Sequence, residues 1–242
     1  MANWTLESAR LTVFLEPNFT RFPTLWDDVV GEEPETSIFQ KPTAMRVAYG
    51  PFAGGRLQLQ AQPVRLDWIF DAPEPGDETG KRNTLGAFPD GATPLLELVY
   101  RWAKSNSFPE TRRIALGFTL ITPALDRLSG YRELRNFIDG VPANEEASDF
   151  LYQVNIPRKS TTGIEGLTIN RLSKWSVMLV RLMALSSFGA VLEGPENSVV
   201  HLDLDINTPQ NFGMIPKERI REVIDDLLSG ALEISNSGTH SK

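Results

Sequence analysis

The chain contains no cysteine. That absence excludes disulfides, zinc–thiolate sites, iron–sulfur clusters and thiol catalysis. Histidine is nearly as scarce, with only His201 and His240. His240 falls in the polar stretch SNSGTHSK, residues 235–242, which reads as a disordered tail. A histidine-based triad or zinc site would therefore rest on His201 alone.

Positive charge is also short. The 24 Lys and Arg are outnumbered by 31 Asp and Glu, giving a net charge of −7. Basic runs stop at two residues, as at Arg112-Arg113 and Arg158-Lys159. An acidic protein is repelled by phosphate backbones unless it concentrates its cations, so nucleic acid is a poor expectation. Long apolar runs are missing too. The longest, Trp175 to Leu185, is broken by Ser176 and Arg181 and is too short to span a bilayer. The opening residues MANWTLESAR lack the basic start and apolar stretch of a signal peptide. A soluble, cytoplasmic protein without membrane contact is the expectation.

Chemical signatures are absent as well. There is no Gly-x-Ser-x-Gly elbow, and Gly50 to Arg56 matches neither a dinucleotide fingerprint nor a Walker loop. Its glycines lead into a strand and read as a hairpin turn. No internal repeat or low-complexity tract occurs.

What is present is enough for a core. Of 242 residues, 41% are apolar and 23% charged, so disorder throughout is excluded. Alternation marks the strands. Leu11, Val13 and Leu15 share one face of residues 10–16. Leu57 and Leu59 oppose Gln58 and Gln60. Val64, Leu66, Trp68 and Phe70 oppose Arg65 and Asp67, and these last two runs form a hairpin. Residues 44–49, 113–121, 149–156 and 199–206 are further strands. Residues 167–185 fit a long strand or a helix, with strand favoured for the first half.

Helices are fewer. Thr93-Pro94 and Thr122-Pro123 each offer a capping hydroxyl followed by proline. A short helix is expected over 24–30. The last helix has Ile220, Val223, Ile224, Leu227, Leu228 and Ala231 on one stripe, with Asp225 and Asp226 assigned to the outer face. The sum is an α+β domain over residues 1–234: a mainly antiparallel twisted sheet, three to four helices packed on it, and a C-terminal amphipathic helix. An irregular loop rich in Pro, Gly and charge is expected over 71–92.

Three groups of residues invite a function. His201, Asp203 and Asp205 alternate along one strand and so share a face. They are candidate ligands for a divalent ion such as Mg²⁺ or Mn²⁺, although neighbours roughly 7 Å apart suit an ion shared by two of them better than by three. The bland alternative is the polar face of an amphipathic strand. Arg158, Lys159, Arg171 and Lys174 surround the hydroxyl-rich loop 160–166 and are candidate anion ligands. The alternative there is a solvated hairpin tip. Phe22, Trp26 and Phe39 lie in an aromatic and acidic stretch over 17–42 and are candidate interface residues. Because the catalytic signatures are excluded, the first reading is a non-catalytic binding or assembly module. It would work through protein surfaces, as a homo-oligomer or complex subunit, with no cofactor. A divalent-metal enzyme on a phosphate-containing substrate is the alternative. Nucleic-acid binding through the 158–174 hairpin comes third.

Overall fold

Leu11, Val13, Leu57, Leu59, Leu66, Trp68 and Phe70 occupy alternate positions of neighbouring runs, and all are buried. Their alternation builds a sheet with one apolar face. The protein, described by a computed structural model over residues 3–17, 22–73, 83–138, 140, 147–185 and 191–240, carries that sheet through. Its strands are β1 (Thr5–Leu15), β2 (Thr36–Gln40), β3 (Met45–Phe52), β4 (Gly55–Gln62), β5 (Arg65–Asp71), β6 (Thr111–Ala124), β7 (Leu151–Asn155), β8 (Arg158–Lys159), β9 (Thr168–Leu185) and β10 (Val191–Asn207). The order across the sheet is β2-β3-β4-β5-β1-β6-β10-β9-β7, with β8 paired to β9 off this path. Every pairing is antiparallel. The fold is α+β, as the residue spacing predicts.

The segment 167–185 resolves as strand along its length from Thr168. The reason is its partner: β9 pairs with β10 over most of its length, and Trp175 is buried at the centre. The β3–β4 connection is a two-residue turn at Ala53 and Gly54, both with positive φ, which is the hairpin geometry that matches strand twist.

Four helices accompany the sheet: α1 (Leu25–Val30), α2 (Thr93–Lys104), α3 (Arg127–Leu134) and α4 (Ile220–Ser237). The stripe Ile220, Val223, Ile224, Leu227 and Ala231 of α4 is buried. It joins the same cluster as Leu202, Leu204 and Ile206 of β10. Each such residue gains about 1.5–3 kcal/mol over exposure. In α3 the glycine at position 130 permits close approach, since a Cβ there would sit 2.8 Å from Val177 Cγ1. Among the described residues the helices lie on this face alone. None of the described helices is long and apolar enough to cross a membrane.

Three details differ from the sequence expectation. Thr122-Pro123 does not start a helix; both residues end β6, and α3 is capped instead by Asp126 in a reciprocal box with Ser129. Leu125 is consequently 91% exposed. The tail predicted from residue 235 is helical instead: α4 continues to Ser237 and a 3₁₀ turn follows over Gly238–His240. Trp4 supplies the reason, since its indole donates to the Ser235 carbonyl at 2.8 Å. The loop 71–92 is partly tied down. Leu85 and Phe88 donate backbone bonds to Leu6 of β1 and to Trp4 just before it. Residues 74–82 lie outside the described residues.

Candidate functional site

The sheet leaves its second face without a described helix, and the register shows what stands on it. Two cross-strand rows run side by side. The first is Ser8 (β1), Thr119 (β6), Asp203 (β10), Lys174 (β9) and Gln153 (β7). The second is Ile69 (β5), Arg10 (β1), Gly117 (β6), Asp205 (β10) and Leu172 (β9). Together they enclose a basin of about 330 Å³. Strand alternation alone puts these side chains on one face, opposite the buried Leu116, Leu202 and Leu204.

Charge in the basin is balanced but not joined. Asp203 accepts a hydrogen bond from the Thr119 hydroxyl at 3.2 Å. Asp205 accepts one from the Asn207 amide at 2.9 Å. Among the described residues the side chains of Arg10 and Lys174 have neither hydrogen bonds nor ion pairs, and Arg10 Nε is screened from water without an acceptor. The Arg10 guanidinium lies over Gly117. A Cβ added there would come within 3.4 and 3.5 Å of its nitrogens. The glycine thus makes the floor on which the guanidinium rests.

In the neighbouring part of the same face Arg65 is paired with a carboxylate, while Arg113 Nε is, like Arg10 Nε, buried without an acceptor. Asp67 is 3% exposed and takes two bonds from Arg65, at 2.7 and 2.8 Å, and one from Thr12, at 2.6 Å. The Asp67 bond holds the Arg65 pKa above its ordinary value, outweighing burial. Phe14 stands between Arg65 and Arg113, whose guanidinium centres lie 5.6 and 5.0 Å from the ring centroid. So the fold satisfies the Arg65 guanidinium with a bidentate carboxylate while leaving that of Arg10 without an acceptor.

His201, Asp203 and Asp205 do share one face. His201 is nearly buried, with Nε2 3.6 Å from Asp203 Oδ1. No cluster of three or more His, Asp or Glu side chains suited to a metal ion occurs among the described residues.

The four hairpin cations separate. Lys174 faces the basin. Lys159 is exposed. Arg158 and Arg171 turn to the helix face, where Arg158 Nη2 meets Asp226 Oδ1 at 2.7 Å and Arg171 Nη1 meets Glu233 Oε2 at 2.6 Å. The hydroxyl-rich loop does hold an anion, but that anion is Asp226 of α4. Its carboxylate accepts from Ser160 Oγ at 2.7 Å, Thr161 Oγ1 at 2.8 Å and Thr161 N at 3.0 Å. Burial pushes the Asp226 carboxyl up. Its bonds from Ser160, Thr161 and Arg158 outweigh that and hold it below the usual carboxylate range. Asp226 is therefore an inward-facing residue, not one of the outer face.

The aromatic candidates also part ways. Trp26 is 5% exposed and packs on Trp68, with ring centroids 5.8 Å apart. Phe22 is half-buried against the core. Phe39 is 47% exposed, with the Arg46 guanidinium 4.5 Å from its ring centroid. The stretch 36–40 is the edge strand β2, which the residue pattern does not announce.

Arg10 and Gly117, by contrast, carry no sequence signal of their own. Only the register across β1, β6 and β10 brings them beside Asp205. No family model, curated protein or solved structure matches the chain.

Proposed function

We propose that the protein is a binding module and that its working surface is the sheet face without a described helix, with the ligand seated in the basin over Gly117. One observation carries this reading. Among the described residues Arg10 and Lys174 face the basin without a hydrogen bond or ion pair, whereas Arg65, Arg158 and Arg171 are paired and Arg113, the other cation whose Nε lacks an acceptor, lies over Phe14 outside the basin. A half-buried guanidinium without an acceptor loses hydration and gains nothing, so it is a cost to the fold. Such a cost makes sense where a ligand supplies the acceptor. Native mass spectrometry of protein isolated without denaturation tests this. The wild type is expected to carry a bound small molecule that is lost from a variant with Arg10→Gln and Lys174→Gln. Equal occupancy of both contradicts it, as does an empty wild type that also binds none of the compounds titrated below.

Self-association is a second reading, and one observation favours it. β7 ends the sheet, its own Leu151 is 60% exposed, and Met178 and Leu179 of the neighbouring β9 are also exposed. An edge strand flanked by exposed apolar side chains is a template for pairing with a second copy. Sedimentation equilibrium is expected to give a dimer that Leu151→Glu converts to monomer. A wild-type monomer at high concentration removes this reading and leaves the first untouched.

A further inference from the structure

We infer that the basin takes a small zwitterion, a free amino acid or an amino-carboxylate of similar size. The inference rests on the binding reading and specifies its ligand.

Unmet hydrogen bonds and charge balance in the basin point to such a ligand. What Arg10 lacks is an acceptor, and its planar fork matches a carboxylate bidentately. Lys174, across the basin on β9, adds a second cation. Alone, these two cations would suit any anion. They do not stand alone. Asp203 lies directly across from Lys174, and Asp205 lies one strand beyond the Gly117 floor. The four side chains sum to zero charge, so a phosphate dianion meets two fixed carboxylates and is disfavoured.

Each of those carboxylates has spare capacity. An ionised carboxylate offers about four acceptor sites. Asp203 has a bond from Thr119 and Asp205 one from Asn207. A ligand ammonium provides the missing donors. At the two ends of the second row, outside Arg10 and Asp205, Ile69 and Leu172 give the basin apolar walls. A volume of about 330 Å³ holds roughly ten non-hydrogen atoms at the density of liquid water. A monocarboxylate with one ammonium and a short carbon chain meets all these conditions at once. Separating the two charges also explains why Arg10 and Asp205 share a row without touching. A direct ion pair would close the site.

The test uses the full-length protein and calorimetric titration with individual amino acids, acetate, ethanolamine and inorganic phosphate. At least one amino acid is expected to bind with one-to-one stoichiometry. Its amide, which lacks the carboxylate, and its N-acetyl derivative, which lacks the ammonium, should each bind about ten- to a hundredfold more weakly. Arg10→Met should weaken the amino acid by a similar factor. Asp203→Asn with Asp205→Asn should weaken it too and should erase the difference from the N-acetyl derivative. Melting curves without ligand keep the reading clean. Arg10→Met should melt no lower than the wild type, because it breaks no bond.

Phosphate or acetate binding as tightly as the best amino acid overturns the zwitterion and leaves a binding module for anions. A co-isolated molecule of another chemistry, with no amino acid binding, overturns the zwitterion likewise. If neither a titrated compound nor a co-isolated molecule binds, the inference and the binding reading fall together.

Discussion

Replacing Asp226 with alanine is expected to lower the unfolding free energy by about 3–5 kcal/mol. For a chain of this size that is a fall in melting temperature of roughly 6–20 °C. Asp226 is 3% exposed and holds four groups together: Arg158, the Ser160 hydroxyl, and the Thr161 hydroxyl and amide. Removing the carboxylate strands a half-buried guanidinium and three donors. Removing both charges should cost less. The pair Arg158→Met with Asp226→Leu leaves fewer buried polar groups without partners, and apolar replacement of a buried ion pair is often close to neutral. A thermal melt of the three proteins decides it. An Asp226→Ala cost below about 1 kcal/mol would mean that the loop is solvated and not clamped.

The same carboxylate sets a pH dependence. Its folded pKa lies below its ordinary value. The stabilisation is therefore complete above the unfolded pKa, about pH 4, and is lost as pH falls through the folded pKa. Asp226→Asn should flatten the acid limb of a stability–pH curve. An unchanged limb contradicts the clamp.

Trp68→Ala should cost a similar amount, about 3–5 kcal/mol. Trp68 is fully buried, with Trp26 at 5.8 Å and Trp102 at 6.0 Å, and Trp102 meets Phe108 at 4.6 Å. Alanine leaves a cavity in the cluster that fixes β5 beneath α1 and α2. Trp68→Phe is the more informative variant. The Trp68 indole N–H is buried without an acceptor, and a desolvated donor costs about 1–3 kcal/mol. Phenylalanine removes that cost while keeping most of the ring contact. Its net effect should stay under about 2 kcal/mol in chemical denaturation. Equal losses for Ala and Phe would show that the N–H is satisfied in solution.

These residues also show where the sequence is readable. Strands with one buried face, such as β4, β5 and β10, are legible because burial imposes a period of two. β2 is not, because its residues are largely exposed and backbone pairing with β3 alone makes it a strand. Thr122-Pro123 carries a helix-start signal that the pairing of β6 with β10 overrides. The alternation does place His201, Asp203 and Asp205 on one face. It also makes Arg158 and Arg171 look like solvent cations. Their partners Asp226 and Glu233 lie more than sixty residues ahead, on a helix whose inward polar positions no periodicity marks. Arg10 is hidden for the related reason that its neighbours come from β6 and β10, over a hundred residues away in the chain.

The proposed binding site lies at Arg10 and Gly117, on the sheet face without a described helix. Backbone amide shifts recorded by NMR during titration with amino acids test it most directly. The account expects perturbations that centre on Ser8, Arg10, Gly117, Thr119, Lys174 and Asp205 and vanish in Arg10→Met. Perturbations centred on the β7 edge or around Trp26, or a pattern unchanged in Arg10→Met, would contradict it.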